Sequence, residues 1–293
     1  MITLATRGSA LALAQSRIVL AELRLRAPGL EVGLEVIDSD GDLNPHSAVP
    51  DLEGQGWFSS RLEQALLEGR VDAAVHSAKD LPSELPSGLR VGAYLRREDP
   101  RDAMVTVGNR SWRDLPKGAR VGTSSPRRGA QLRALRPDLE VVPMRGNLDT
   151  RLRRVEAGEI PAVMVAAAGL ARLDRAHLGQ VLDPHLECTP APAQGAIALE
   201  VRVGAELDGL AAVLDDPPTR LCVEAERAVL AAMGGGCRLP LGALAEAVSV
   251  DQFALTVAWA PPEQPFQMLR RSGSVPAPEL LDLALGFAAE LRR

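Results

Sequence analysis

The stretch Val71 to Pro82, VDAAVHSAKDLP, sets the terms for the rest of the chain. Val71, Ala73 and Val75 make a short apolar strand, and His76, Ser77, Lys79 and Asp80 gather at its carboxyl end before Pro82 stops it. A strand that buries its body and presents ionisable groups at its carboxyl end belongs in an open α/β sheet, where ligands bind outside those ends. A surface lysine–aspartate pair would show the same pattern and contribute little. Lys79 is unusual in this composition, since it and Lys117 are the two lysines among 33 basic residues.

The same grammar recurs along the chain. Ile2 to Ala5 form a strand, Thr6-Arg7-Gly8-Ser9 a turn, and Ser9 caps a helix whose apolar face is expected at Leu11, Ala14, Ile18, Ala21 and Leu25. After Pro28-Gly29, Leu30, Val32, Leu34 and Val36 alternate as the next strand. Residues 38–56 are polar and rich in Gly, Pro and Asp, which predicts a long loop. A helix from Ser59 or Ser60 then leads to the Val71 strand, and Leu89 to Tyr94 form another.

Ala103 to Val107 opens a second run, in which Thr123-Ser124-Ser125-Pro126 starts a helix carrying Arg127 and Arg128. Leu139 to Met144 ends in Arg145-Gly146-Asn147, and the next helix carries Arg151. Pro161 to Val165 leads to a helix with Arg172, and Ala196 to Val203 is expected to return to the first sheet. A helix with Leu221, Ala225, Ala228 and Ala232 on one face runs into Gly234-Gly235-Gly236-Cys237. Two or three strands and a terminal helix, Pro278 to Leu291, complete a small α+β part. The expected division is 1–97 with 196–214, then 98–195, then 218–293.

Composition narrows the partners. A chain of 293 residues that is 46% apolar can bury sizeable cores. With 3% aromatics and a net charge of −5 it is a poor nucleic-acid binder. Its longest apolar run, Ile160 to Ala171, is too short to cross a bilayer, so no membrane partner is expected. No basic-plus-apolar leader follows Met1. Cys188, Cys222 and Cys237 have neither disulfide nor metal spacing, and His46, His76, His177 and His185 supply no nucleophile's base. A reducing cytoplasm and no metal are the expectation.

Arg7, Arg127, Arg128, Arg145, Arg151 and Arg172 all fall just past strand ends or in the helices that follow. This chain prefers arginine to lysine everywhere, which accounts for any one of them. Six in such places point to a ligand with several carboxylates, because a guanidinium grips a carboxylate with two parallel bonds. Each charged hydrogen bond contributes about 1.5–3 kcal/mol. Cys237, behind three glycines, is a thiol offered on a bare loop.

With those residues in place, the chain resembles the porphobilinogen deaminase (hydroxymethylbilane synthase) family along most of its length. The matching stretches are Ala5 to Ser9, Val75 to Asp80, Arg97 to Ala103, Val121 to Arg128, Arg145 to Asn147, Ala168 to Leu170, Gln194 to Ala196, Ala225 to Arg227 and Gly235 to Cys237. The resemblance implies an α/β fold: two doubly wound lobes like type 2 periplasmic binding proteins, plus a small α+β C-terminal domain. It also implies a monomeric cytoplasmic transferase that condenses four porphobilinogens on a covalently attached dipyrromethane primer and releases a linear tetrapyrrole.

Position by position, the resemblance implies that Cys237 holds the primer by a thioether and that Asp80 is the catalytic carboxylate. Arg7, Ser9, Ser77, Lys79, Thr123, Ser124, Ser125, Arg127, Arg128, Arg145, Gly146, Arg151, Arg172 and Gln194 would bind primer or substrate. Gln55 stands where the family has a lysine; either one carboxylate is then held by the amide alone, or Arg61 supplies the missing cation. The competing reading is a non-enzymatic two-lobed binder of small anions, which would need neither Cys237 nor a third domain.

Overall fold

The computed structural model describes residues 1–37, 60–204, 207–236, 239–261 and 267–292. The chain divides into two compact units, Met1–Glu98 with Ala196–Arg220, and Asp99–Gly195 with Leu221–Arg293. It begins with β1 (Ile2–Thr6), α1 (Ala10–Arg26), β2 (Val32–Val36), α2 (Ser60–Leu67), β3 (Ala73–Ser77) and β4 (Leu89–Tyr94). The second unit opens with β5 (Asp102–Thr106), β6 (Arg120–Gly122), α3 (Pro126–Leu135) and β7 (Glu140–Val142). It continues through α4 (Leu148–Glu156), β8 (Ala162–Ala166), α5 (Ala167–Arg172) and β9 (Gln180–Val181). The first unit then receives β10 (Ile197–Arg202) and α6 (Leu207–Leu214). The remaining elements are α7 (Pro217–Ala232), β11 (Leu241–Ala247), β12 (Gln252–Trp259), β13 (Leu269–Pro276) and α8 (Leu280–Leu291).

The first unit holds a five-stranded sheet in the order β2-β1-β3-β10-β4. β1 runs parallel to β2 and β3, and β10 is antiparallel to both its neighbours. Leu4, Ala73 and Val75 face a core shared with Val19 and Leu23 of α1 and Ala211 of α6. The alternate residues Ala5 and Ala74 pack against Leu62 and Leu66 of α2. Helices therefore cover both faces, so the strands read as nearly continuous apolar runs. A five-stranded sheet ordered β7-β6-β8-β5-β9 in the second unit is built alike, with Ala103 and Val105 facing α4 and Met104 facing α3. The C-terminal antiparallel sheet, β11-β12-β13, packs on α7 and α8 through Val229, Leu255, Leu280 and Phe287. The fold is thus α/β, with two mixed doubly wound sheets and a small C-terminal sheet-and-helix part.

Two helices present a different face from the one expected. α1 buries Gln15, Ser16, Val19 and Leu23, while Ile18 and Leu25 are exposed. Its sequence is apolar on more than one side, so spacing does not choose; packing on β3 and the Gln15–Ser77 hydrogen bond do. α7 buries Cys222, Ala225, Glu226 and Val229, leaving Leu221 exposed. A buried glutamate lies in that stripe, which an apolar pattern passes over. β9 and α6 were not anticipated either; Leu207–Leu214 falls inside the first expected division, where no helix was named.

Candidate functional site

In the first unit β1 and β3 are parallel neighbours with Leu4 opposite Ala73, so both leave the sheet at the same edge. Ser9 accepts the Ala12 N–H at 3.3 Å and caps α1, placing half-buried Arg7 between strand and helix start. A helix start favours anions through its free N–H groups and dipole. At the end of β3, the Ser77 hydroxyl is hydrogen-bonded to the Gln15 amide at 2.7 Å. Ala78 to Asp80 then form one 3-10 turn, anchored where the Ala78 N–H donates to the Ala196 carbonyl at 3.0 Å. That turn leaves Lys79 half-buried and Asp80 exposed. His76 points inward, its Nε2 2.9 Å from the buried Glu200 carboxylate, at ion-pair distance though not aligned as a hydrogen bond.

A cavity of about 700 Å³ in this unit is lined by Glu35, Val36, Ile37, Arg61, Gln64, Glu68 and Arg70. Among the described residues, none of Arg7, Ser9, Lys79 or Asp80 lines it, and two acids match two arginines, one of which, Arg70, is paired with Glu35 at 3.4 Å. Such a lining does not attract a carboxylate, so the strand ends are the better site. Arg61 stands exposed on the cavity wall. Gln55, which stands where the family has a lysine, lies outside the described residues.

The second unit gathers the remaining candidates at its own strand ends. Ser125 caps α3, accepting the Arg128 N–H at 3.4 Å. Thr123, buried beside it, accepts the Ser125 N–H at 3.2 Å. Ser124 ties β6 to β7, donating to the Met144 carbonyl at 2.8 Å and accepting the Met144 N–H at 3.0 Å. Arg145 and Gly146 follow exposed, with Gly146 in the left-handed region at φ 103. Added bulk there would meet Thr150 at 2.9 Å, so this turn requires glycine. Arg172 donates to the Gly195 carbonyl at 2.6 Å.

Arg127, Arg128 and Gln194 already have partners within the unit. Each is buried around Asp102, which is 0% exposed at the start of β5. Arg127 Nη1 donates to Asp102 Oδ2 at 2.5 Å and to the Thr189 carbonyl at 2.8 Å. Arg128 reaches Asp102 Oδ1 through Nε at 2.8 Å, and Gln194 Nε2 reaches the same oxygen at 3.0 Å. Burial alone would raise the Asp102 pKa. The charges of Arg127 and Arg128 and these hydrogen bonds overcome it and hold the carboxyl well below its usual range. The neighbouring Cys188 thiol, 3.3 Å from Asp102, is pushed up to about 12 by burial first and by that carboxylate second.

Arg151 is the opposite case. Its Nε donates to the Gly146 carbonyl at 2.9 Å, and among the described residues no carboxylate forms an ion pair with it. Burial and then the charge of Arg128 lower its pKa, the mark of a cation lacking a counter-ion. An arginine so placed, with Arg128 behind it, fits a carboxylate-bearing group rather than a neutral one. Cys237 lies outside the described residues. Asp102, and Glu226, whose carboxylate accepts the Ala193 and Ala245 N–H groups, were not singled out as site residues in the sequence; a charged residue opening an apolar strand, or sitting between Ala225 and Val229 in a helix, was the available signal.

Among the described residues, no helix is long and apolar enough to cross a membrane, and no cluster of His, Cys, Asp or Glu could hold a metal. A family model described as "Porphobilinogen deaminase, dipyromethane cofactor binding domain" matches residues 2–207, and the corresponding C-terminal domain model matches 220–271. The porphobilinogen deaminase of Acidothermus cellulolyticus is 46% identical over 100% of this chain and 89% of its own length. That of Syntrophus aciditrophicus is 48% identical over 82% of this chain and 79% of its own. Among solved structures, the periplasmic VFT2 domain of BvgS from Bordetella pertussis gives a TM-score of 0.40 at 19% identity, over 73% of this chain and 85% of that one. By the extent and identity of the sequence matches, the chain belongs to the porphobilinogen deaminase family.

Proposed function

We propose that the chain is a transferase that joins four porphobilinogen molecules head to tail, with loss of ammonia, into a linear tetrapyrrole. The observation that carries this reading is Arg151, a half-buried cation whose own unit offers it no described carboxylate. Porphobilinogen brings an acetate and a propionate on every ring. Arg145, Arg151, Arg172, Thr123, Ser124, Ser125 and Gly146 receive such groups in the second unit, and Arg7, Ser9, Ser77 and Lys79 in the first. Arg127 and Gln194 act one step back, by fixing Asp102 and through it Arg128.

Asp80 carries the chemistry. Loss of ammonia from the substrate's aminomethyl group leaves an electron-poor methylene-pyrrolenine, with positive charge on the pyrrole nitrogen. The Asp80 carboxylate offsets that charge, accepts the N–H, and takes up the α-proton when the new bond has formed. An exposed carboxylate would only weaken a simple anion binder, which disfavours the non-enzymatic reading. The dipyrromethane cofactor, attached through a thioether at Cys237, supplies the free α-carbon from which the product grows.

The proposal includes a cytoplasmic monomer divided as 1–97 with 196–214, 98–195 and 218–293, one part for each sheet. Intact-mass measurement of the purified protein tests the whole reading. The expected mass exceeds the chain's by two deaminated substrate units, and Cys237→Ser lacks that increment. A parent protein that stays unmodified and inactive when given porphobilinogen overturns it.

A further inference from the structure

Residues Thr189 to Gly195 form no helix or strand, yet they touch both the arginine cluster and the C-terminal sheet of the second unit. β11 is an edge strand, so its outward N–H groups need partners. Ala243 donates to the Pro190 carbonyl at 2.9 Å. The approach is close: a Cβ on Gly242 would meet the Thr189 carbonyl oxygen at 2.5 Å. Two residues further, the Ala245 N–H donates to Oε1 of Glu226 at 2.7 Å. The other carboxylate oxygen, Oε2, accepts the Ala193 N–H at 2.6 Å. Glu226 is 0% exposed, and both bonds are of the short, charge-assisted kind.

Ala193 is strained. Its φ is 63, in the left-handed region that a Cβ disfavours, and it is buried. The next residue is Gln194, whose Nε2 donates to Asp102 Oδ1 at 3.0 Å and to the Pro100 carbonyl at 2.8 Å. Its Oε1 accepts from Arg128 Nη2 at 3.4 Å. Two hydrogen bonds and the peptide link between Ala193 and Gln194 therefore lead from Glu226 to the guanidinium that stands behind Arg151. We propose that Glu226 is a positioning residue: its carboxylate holds the left-handed turn at Ala193, and that turn aims the Gln194 amide at Asp102 and Arg128. The same side chain sits on α7, the helix that leads through Gly234 to Gly236 into Cys237. One carboxylate thus ties the approach to the cysteine to the arginine cluster. The inference rests on the functional reading above.

Glu226→Gln keeps the size and one acceptor but sets an NH2 against one of the two backbone donors. Amide hydrogen exchange across residues 189–195 should quicken at least tenfold. Turnover per adduct-bearing molecule, counted by intact mass, should fall about tenfold in kcat/KM. Glycine adopts a positive φ freely, so Ala193→Gly added to Glu226→Gln should recover most of that loss. A purely structural glutamate would lower Tm and leave turnover per adduct-bearing molecule unchanged, and that result overturns the proposal. So does a loss that Ala193→Gly fails to relieve, or a double variant that does not fold. If the parent protein carries no adduct and has no activity, the functional reading fails instead, and the exchange measurement still decides whether Glu226 holds the turn.

Discussion

The two five-stranded sheets share one strand plan: three parallel strands, β2-β1-β3 or β7-β6-β8, then an antiparallel neighbour and an outer strand. They treat the carboxylate at the third strand's end in opposite ways. Past β3, the 3-10 turn pushes Asp80 into solvent. At the end of β8, Ala166 lies opposite Asp102 of β5, and that carboxylate is sealed between two guanidinium groups. Each sheet thus has a carboxylate near its third strand's carboxyl end, Asp80 in the turn beyond β3 and Asp102 on the strand beside β8, and burial separates their uses. The enclosed one is a fixed counter-ion, worth little as a reagent because protonating it would strand two arginines. The exposed one is open to hydrogen-bond a bound molecule without disturbing the fold.

Asp80→Asn should break the comparison most visibly. We expect kcat to fall roughly 10²–10³-fold in adduct-bearing protein, the scale of losing one preorganised electrostatic contact. Tm should barely move, since surface changes cost within about 0.5 kcal/mol. Turnover near the parent's would place the chemistry elsewhere.

Asp102→Asn should do the reverse. Removing one partner of a buried ion pair costs about 3–5 kcal/mol, so Tm should drop by roughly 10 °C, as read by calorimetry. The same pairing predicts an acid limb. The folded Asp102 pKa is lower than the ordinary value of about 3.9, so the unfolded chain binds the extra proton as pH falls. Its stabilisation is complete above about pH 5 and drains away as pH falls through the folded value. The parent's Tm should therefore decline more steeply below about pH 4 than that of Asp102→Asn; parallel declines would contradict the assignment.

A smaller effect is expected at Arg151. Arg151→Ala should raise KM about tenfold, or ~1.4 kcal/mol, while Tm holds or rises because a cation short of a counter-ion is removed. A large loss of Tm with unchanged KM would make Arg151 a second Arg127. The smallest signal is at Cys188. With its pKa pushed up to about 12, the thiol stays protonated at neutral pH. Iodoacetamide should leave it unlabelled in the folded protein, as peptide mapping would report, and rapid labelling would mean that the cluster opens.

Several elements were legible before folding. Ser9 and Ser125 sit where caps were expected, and each accepts an N–H three residues on. Asp80 at a strand end, and arginines just beyond others, could be placed because strand and helix periods are local. The division of labour among those arginines could not. Arg127 and Arg128 are adjacent on α3 and look equivalent to Arg145 or Arg151, yet Asp102, 25 residues before Arg127, engages both.

Sequence by itself determined most of the strands and helices, though not β9 or α6, together with the Ser9 and Ser125 caps and the strand ends at which charge collects, because each depends on neighbours within a few residues. Tertiary structure alone decided which face of α1 and α7 is buried, which arginines face Asp102, and that Glu226 bridges Ala193 and Ala245. A guanidinium carries the same charge wherever it stands in the chain. Whether it meets a carboxylate depends on residues tens of positions away, and only the folded chain brings those together.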